Sequence, residues 1–268
     1  MKILAIGDVV GQAGVAYLRA NLRNIKQKYS ADLVIVNGEN AAEIHGIGQN
    51  DAEDIFYAGA DVITTGNHAF GRYDIYSYLD DEKYILRPAN FPGSAPGHGW
   101  CIINVAGMRV LVMNLQGNVS MKVSLANPFE AADSILKREA GNYDIAVLDF
   151  HAEATSEKLA MGYYLDGRVQ VVFGTHTHVA TADEQVLPRG TGYITDIGMT
   201  GPDISILGVA TDCIIKGFTT AMPQRYRLPK ARSPLTAHSL HSLATNASRL
   251  KELPFKFKGE RLWSSMIN

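Results

Sequence analysis

Residues 2–40, KILAIGDVVGQAGVAYLRANLRNIKQKYSADLVIVNGEN, carry the pattern that decides the fold. Lys2–Ile6 reads as a short buried strand, broken by Gly7-Asp8. Val15, Leu18, Leu22 and Ile25 then recur at spacings of 3, 4 and 3, which places them on one helical face. Asp32–Val36 is a second buried strand, ending in Asn37-Gly38-Glu39-Asn40. The theme repeats with a helix around Asn50–Ala58 and a strand Asp61–Thr65 that ends in Gly66-Asn67-His68. A β-loop-α series of this kind needs crossover connections, which are right-handed and produce a mostly parallel sheet.

Further along, the character changes. Trp100–Val105 and Arg109–Leu115 are β-rich runs joined by Ala106-Gly107-Met108, the signature of a hairpin. Asn127-Pro128 starts a helix, with Asn as N-cap and Pro at the first helical position. Asp144–Asp149 is a buried strand ending at Phe150-His151. Thr155 or Ser156 caps the next helix, and Val169–Phe173 is another buried strand, ending in Gly174-Thr175-His176-Thr177-His178. Residues 184–219 read as further strands. Residues 222–268 hold four prolines and weak periodicity, with Ser239–Leu243 as one late edge strand. The expected architecture is α/β: a sandwich of two mixed β-sheets flanked by helices, in a single domain over residues 1–268, with 229–268 a divergent C-terminal segment.

The totals narrow the functional classes. At 268 residues, 46% hydrophobic and 19% charged, the chain is an ordinary globular protein and wholesale disorder is excluded. A net charge of −2 gives no general pull toward nucleic acid or membrane. From Pro223 onward nine Lys and Arg stand against two Glu, a balance of +7 that leaves −9 for the rest; it is read as a solvated face. Cys101 and Cys213, each in an apolar strand-like run, form no disulfide framework and no zinc motif, and read as buried free thiols in a reducing compartment. No run of about 18 apolar residues exists, and the first ten lack a signal-peptide pattern. A cytoplasmic enzyme is expected.

Polar groups stand directly after each expected parallel strand. They are Asp8, then Glu39 and Asn40, then Asn67 and His68, then His151, then His176 and His178. The carboxyl ends of such strands meet at a shared crevice, so residues remote in sequence converge there. Gly7, Gly38, Gly66 and Gly174 precede them and are expected to let the backbone turn sharply at the rim. Carboxylate, amide and imidazole donors without thiolate suit Mn, Fe or Zn. The set exceeds what one ion uses. Two ions ~3.5–4 Å apart, sharing one carboxylate, form a clamp suited to in-line displacement at phosphorus.

The blocks Gly7-Asp8, Gly38-Glu39-Asn40, Gly66-Asn67-His68, His151 and Gly174-Thr175-His176-Thr177-His178 resemble those of the calcineurin-like metallophosphoesterases. Longer stretches are closer to the YmdB-like branch, described as acting on 2′,3′-cyclic nucleotides. They are Gly7-Asp8-Val9-Val10-Gly11, 36–41, Arg87-Pro88-Ala89-Asn90, 149–158, 174–179, Thr181-Ala182-Asp183 and 195–202. The resemblance covers about residues 1–228. It implies that Asp8 and His178 hold a first metal, that Asn67, His151 and His176 hold a second, and that Glu39 bridges them. It places Asn40 beside the first metal and makes His68 the catalytic group facing substrate. Two transition metals are expected, Fe or Mn ahead of Zn. So is hydrolysis of a small phosphodiester by in-line attack of a metal-bridging hydroxide. The family also implies a homo-oligomer; from the charge balance and the lack of a long apolar run, no membrane and no stable nucleic-acid complex are expected.

The chain departs from the broad superfamily in two places. Val10 stands where the first block usually has His, and Glu39 replaces a bridging Asp; both changes are shared by the YmdB-like branch. The first metal is therefore short of one imidazole, with Asn40 as the substitute. His45 follows the Glu39 loop and is a candidate substrate contact. Thr200-Gly201 either brings a backbone amide to the phosphate or simply makes a turn. Arg87 is read as a surface ion pair or as a phosphate or interface contact, Glu153, Ser156 and Lys158 as the start of a helix, and Met161, Tyr163 and Tyr164 as core. The alternatives are a phosphomonoesterase or nuclease on the same site, and a regulatory nucleotide-binding protein whose hydrolysis is incidental.

Overall fold

The computed structural model describes residues 1–42 and 45–229, and the backbone of 235–237 and 239–243. The strands in chain order are β1 (Lys2–Ile6), β2 (Asp8–Val9), β3 (Leu33–Asn37), β4 (Val62–Thr64), β5 (Ile85–Leu86), β6 (Trp100–Val105) and β7 (Met108–Gln116). They continue with β8 (Ile145–His151), β9 (Val171–Thr175), β10 (Gln185–Val186), β11 (Gly192–Ile194), β12 (Met199–Pro202), β13 (Leu235–Ala237) and β14 (Ser239–Leu243). The helices are α1 (Gly11–Tyr29), α2 (Gln49–Ala58), α3 (Tyr76–Asp81), α4 (Pro128–Arg138), α5 (Thr155–Leu165) and α6 (Thr211–Thr220).

Two mixed sheets face each other, as the sequence predicts. The first runs β14-β1-β3-β4-β5, with β1, β3, β4 and β5 parallel and β14 antiparallel on its edge. The second runs β10-β11-β9-β8-β7-β6, with β7, β8, β9 and β11 parallel between antiparallel edges. A small sheet, β13-β12-β2, joins the strand carrying Asp8 to the later part of the chain.

The apolar runs explain this layering. Ile3, Ala5, Leu33, Ile35 and Val62 face inward against Val110, Val112, Val147, Val171 and Phe173 of the second sheet. Their neighbours Leu4, Ile6, Val34 and Val36 point outward and are covered by Leu18, Leu22 and Ile55 of α1 and α2. Leu111, Met113, Ala146 and Leu148 do the same under Ile135, Met161 and Leu165 of α4 and α5. A strand buried on both faces loses the polar alternation of a surface strand, which is why these stretches read as continuous apolar runs. Each such aliphatic side chain contributes about 1.5–3 kcal/mol on leaving water.

Local signals fix the ends of the elements. The side chain of Asn127 accepts from the backbone N of Phe129 at 3.0 Å, and Pro128 opens α4. Ala106 and Gly107 both take positive φ, 50° and 79°, as a two-residue hairpin loop between β6 and β7 requires.

Three readings are corrected. Residues 211–220 are helix, not strand, so Cys213 lies half-buried on α6 while Cys101 is buried in β6 as expected. Arg87 makes no surface ion pair; its guanidinium clamps the carbonyls of Pro88, Ala95 and Pro96 from a buried position. Of the trio on α5 only Met161 is core, and Tyr163 and Tyr164 are exposed. No helix among the described residues is long and apolar enough to cross a membrane.

Candidate metal centre

The carboxyl ends of the parallel strands from both sheets open onto one rim. Asp8 follows β1, Glu39 and Asn40 follow β3, and Asn67 and His68 follow β4. His151 is the last residue of β8, and His176 and His178 follow β9. The glycines before them act differently from expectation. None of Gly7, Gly38, Gly66 and Gly174 takes a positive φ; what they supply is room. A Cβ on Gly66 would lie 2.2 Å from His151 Nε2 and 2.4 Å from Glu39 Oε2. The left-handed backbone falls instead on His176 and His178, with φ of 98° and 64°. A non-glycine residue held there costs about 1–3 kcal/mol, which the surroundings must offset. They do so through Asp196, whose Oδ2 accepts from Lys158 Nζ at 2.6 Å and from Thr177 Oγ1 at 2.8 Å. Its Oδ1 accepts from the backbone of Gly198 at 2.8 Å, and Lys158 and Asp196 are both buried.

Glu39, His151 and His176 offer ligand atoms within 4.8 Å of one another. His151 Nε2 stands 3.2 Å from Glu39 Oε2, 3.0 Å from Asn67 Oδ1 and 3.0 Å from His176 Nδ1. On the other side, His178 Nε2 is 3.7 Å from Asp8 Oδ1 and 3.2 Å from Asn40 Nδ2. Asn40 donates to Glu39 Oε1 at 2.9 Å and turns its Oδ1 to His68 Nδ1 at 3.1 Å. It therefore occupies the space beside the first position, where Val10 offers no ligand. His45 stacks on His68 with ring centroids 4.4 Å apart.

These groups fit cations. Asp8 Oδ1 is fully buried and receives no hydrogen bond, which in a protein interior calls for a positive partner. Burial raises the Asp8 carboxyl pKa, against the pull of His178 and His151. Burial also opposes charge on Glu39, but His151 and His68 outweigh it and hold that carboxyl well below its ordinary value. For His151, burial opposes charge and the carboxylates of Glu39, Asp8 and Asp149 overcome it, raising the imidazole to about 9. His176 is pushed the other way, to about 3, by burial and by His151 beside it. Negative charge collected in a dry place attracts either protons or metal ions. Carboxylate, amide and imidazole donors without sulfur favour a transition metal of borderline hardness.

A cavity of about 300 Å³ opens beside this cluster. Glu39, Asn40, His45, His68, His176 and His178 line it, as do Glu153, Tyr226 and Arg227. Thr200 and Gly201 are not brought to it. Both are buried in β12, where Thr200 O accepts from Val10 N at 2.9 Å, so the turn reading of this pair is replaced by strand pairing behind the site.

Several residues around the centre escape sequence reasoning. Lys158 is a buried ion-pair partner and not merely part of a helix start. Glu153 lies 3.1 Å from His176 Nε2. Asn37, Asp149 and Thr175 form a buried hydrogen-bonded group just beneath His151. A signal for these last three was present: each is a polar residue at or near the end of an otherwise apolar strand run, where burial demands a specific partner.

Comparison with known proteins identifies the family and the fold. The family model for YmdB-like protein matches residues 4–252. The 2′,3′-cyclic-nucleotide 2′-phosphodiesterase of Bacillus subtilis strain 168 is 44% identical over 236 residues, 88% of this chain and 89% of its own length. A crystal structure of a hypothetical protein from Thermus thermophilus superposes with a TM-score of 0.83 at 39% identity, covering 90% of this chain and 93% of that one. A crystal structure of a novel phosphatase from Mycoplasma pneumoniae gives 0.82 at 34% identity, covering 90% and 87%. A 5′-nucleotidase precursor from Thermus thermophilus shares the fold alone, at 0.56 and 15% identity over 72% of this chain and 48% of that one. The chain belongs to the YmdB-like protein family and carries the metallophosphoesterase fold.

Proposed function

We propose that this chain is a metal-dependent phosphodiesterase acting on small phosphodiesters, with 2′,3′-cyclic nucleotides as the substrate class. The observation that carries this reading is the buried Asp8 Oδ1, without a hydrogen-bond donor, at a rim that also holds Glu39 and three imidazoles beside a ligand-sized cavity. The name of the Bacillus relative supports the substrate class.

Asp8 and His178 would hold one ion, Asn67, His151 and His176 a second, and Glu39 would stand between them. Metal ions in these positions supply Lewis acidity toward phosphoryl oxygens and acidify water. The remaining work belongs to the chain. Asn40 and Glu39 hold His68 by its Nδ1, at 3.1 and 3.4 Å, which leaves Nε2 to give a proton to the departing ribose oxygen. His45 stacks on the same ring and fixes its plane. A cavity of about 300 Å³ suits a mononucleotide better than a polymer. Homo-oligomeric assembly and a cytoplasmic setting belong to the same proposal, supported by the family likeness and by two unpaired thiols.

Purified protein supplied with Mn²⁺ or Fe²⁺ should hydrolyse bis-p-nitrophenyl phosphate faster than p-nitrophenyl phosphate. It should open 2′,3′-cyclic AMP and lose all three activities to a chelator. Preference for the monoester, or chelator-insensitive turnover, would overturn the proposal.

A further inference from the structure

We infer that Asn37, Asp149 and Thr175 are positioning residues that lock His151 in one tautomer, with its proton on Nδ1 and its Nε2 lone pair aimed into the metal centre. This lock rests on the metal reading above.

The polarity of the network can be followed from an unambiguous donor. The backbone N–H of Glu39 donates to Asn37 Oδ1 at 3.2 Å. That fixes the amide orientation, so Asn37 Nδ2 faces Asp149 Oδ2 at 3.0 Å and must donate to it. Thr64 Oγ1 donates to the same oxygen at 2.5 Å. The other oxygen, Asp149 Oδ1, accepts from Thr175 Oγ1 at 2.7 Å. A hydroxyl has one proton, and Thr175 has now used it. Toward His151 Nδ1, 2.9 Å away, Thr175 can only accept. Asp8 Oδ1 does not compete, since it lies 4.0 Å from that nitrogen. His151 Nδ1 therefore carries a hydrogen, and Nε2 is the nitrogen whose lone pair a metal can take in the space shared with Glu39, Asn67 and His176.

The arrangement also crosses the sandwich. Asn37 and Thr64 come from the first sheet, and Asp149, His151 and Thr175 from the second. All five are fully buried, so no water stands in for a lost partner. One end of the network is the backbone of Glu39, so the bridging carboxylate and the imidazole are set by one chain of hydrogen bonds. Partners of this kind fix ring orientation and raise ligand basicity, and their loss typically weakens metal binding tenfold to a hundredfold.

The test uses zinc alone as the probe, with the whole chain and the near-isosteric pair Thr175→Val and Thr175→Ser. In zinc-loaded wild-type protein, ¹⁵N NMR should find a slowly exchanging, downfield proton on His151 Nδ1 and zinc on Nε2. Thr175→Val should shift that proton upfield, speed its exchange and weaken zinc binding about 10–100-fold in chelator competition, while Thr175→Ser stays within about twofold of wild type. Zinc on Nδ1, a Val variant that binds like wild type, or a Ser variant as weak as Val would overturn the lock. If the Val variant does not fold, the wild-type spectrum decides by itself. Wild-type protein that takes up no zinc would remove the metal reading and the lock together. Normal zinc uptake with an unaffected Val variant would remove the lock alone.

Discussion

Replacing Glu39 by Gln should separate the hydrogen bonding of this carboxylate from its proposed place between two ions. Oε1 accepts from Asn40 Nδ2 at 2.9 Å. Oε2 accepts from the backbone N of His68 at 3.2 Å and lies 3.2 Å from His151 Nε2. Gln keeps the size but turns one oxygen into an NH₂. In the Oε2 position that group meets the His68 N–H, donor against donor; in the Oε1 position it meets the Asn40 amide in the same way. One hydrogen bond is thus left unmade in a fully buried place, at a cost of about 1–3 kcal/mol. Melting should fall by about 2–4 °C for each of those kcal/mol. The larger effect falls on chemistry, because the carboxylate proposed to stand between the two ions has lost its charge. Turnover of bis-p-nitrophenyl phosphate should drop at least ~10³-fold, about 4 kcal/mol of barrier. The checks are a circular dichroism melt, metal content per chain and the steady-state rate. A Glu39→Gln protein that keeps its metal and works within about tenfold of wild type would refute the assignment of Glu39 as the bridge.

Four further outcomes follow from particular contacts. His68→Gln should slow 2′,3′-cyclic AMP hydrolysis by about 10²–10⁴-fold and affect bis-p-nitrophenyl phosphate much less, because p-nitrophenolate leaves without an acid; equal losses on both would remove His68 as proton donor. Gly66→Ala should lower metal affinity and cost about 1–3 kcal/mol in urea denaturation, since its methyl meets His151 and Glu39; an unchanged midpoint would show that the rim yields. Lys158→Met should cost about 3–5 kcal/mol by stranding Asp196, measured the same way, and a neutral result would mean that the His176–His178 loop does not depend on that ion pair. Burial pushes the Cys101 thiol up to about 12, so native protein at pH 8 should react with a disulfide reagent at Cys213 alone, with Cys101 reacting only after unfolding; mass mapping that finds Cys101 modified first would contradict its burial.

The candidate centre was legible because each expected ligand sits at the end of a strand that the sequence marks unmistakably. Asp8, Glu39, Asn67, His151 and His176 stand where apolar runs such as 2–6 and 145–150 stop, and parallel topology does the gathering. What was not legible has physical causes. α6 reads as strand because Ile214 and Ile215 are β-branched and follow the apolar Cys213, its N-cap Ala210 has no capping side chain, and none of its residues is buried to impose a helical period. Thr200 and Gly201 read either as a backbone amide brought to the phosphate or as a simple turn, yet they lie in a strand, β12, that pairs with Asp8 and Val9 in a sheet too short to announce itself. Lys158 and Asp196 are 38 residues apart, and no local pattern predicts that pairing. The rim glycines stand out in the sequence, but not their purpose: they make space for the side chains of the rim, while the strained backbone is carried by His176 and His178.

Metal content tests the central claim most directly. Protein purified without chelator and measured by elemental analysis should hold about two equivalents of transition metal per chain, or take them up on titration. A pure, folded preparation that holds none and gains none would contradict the account.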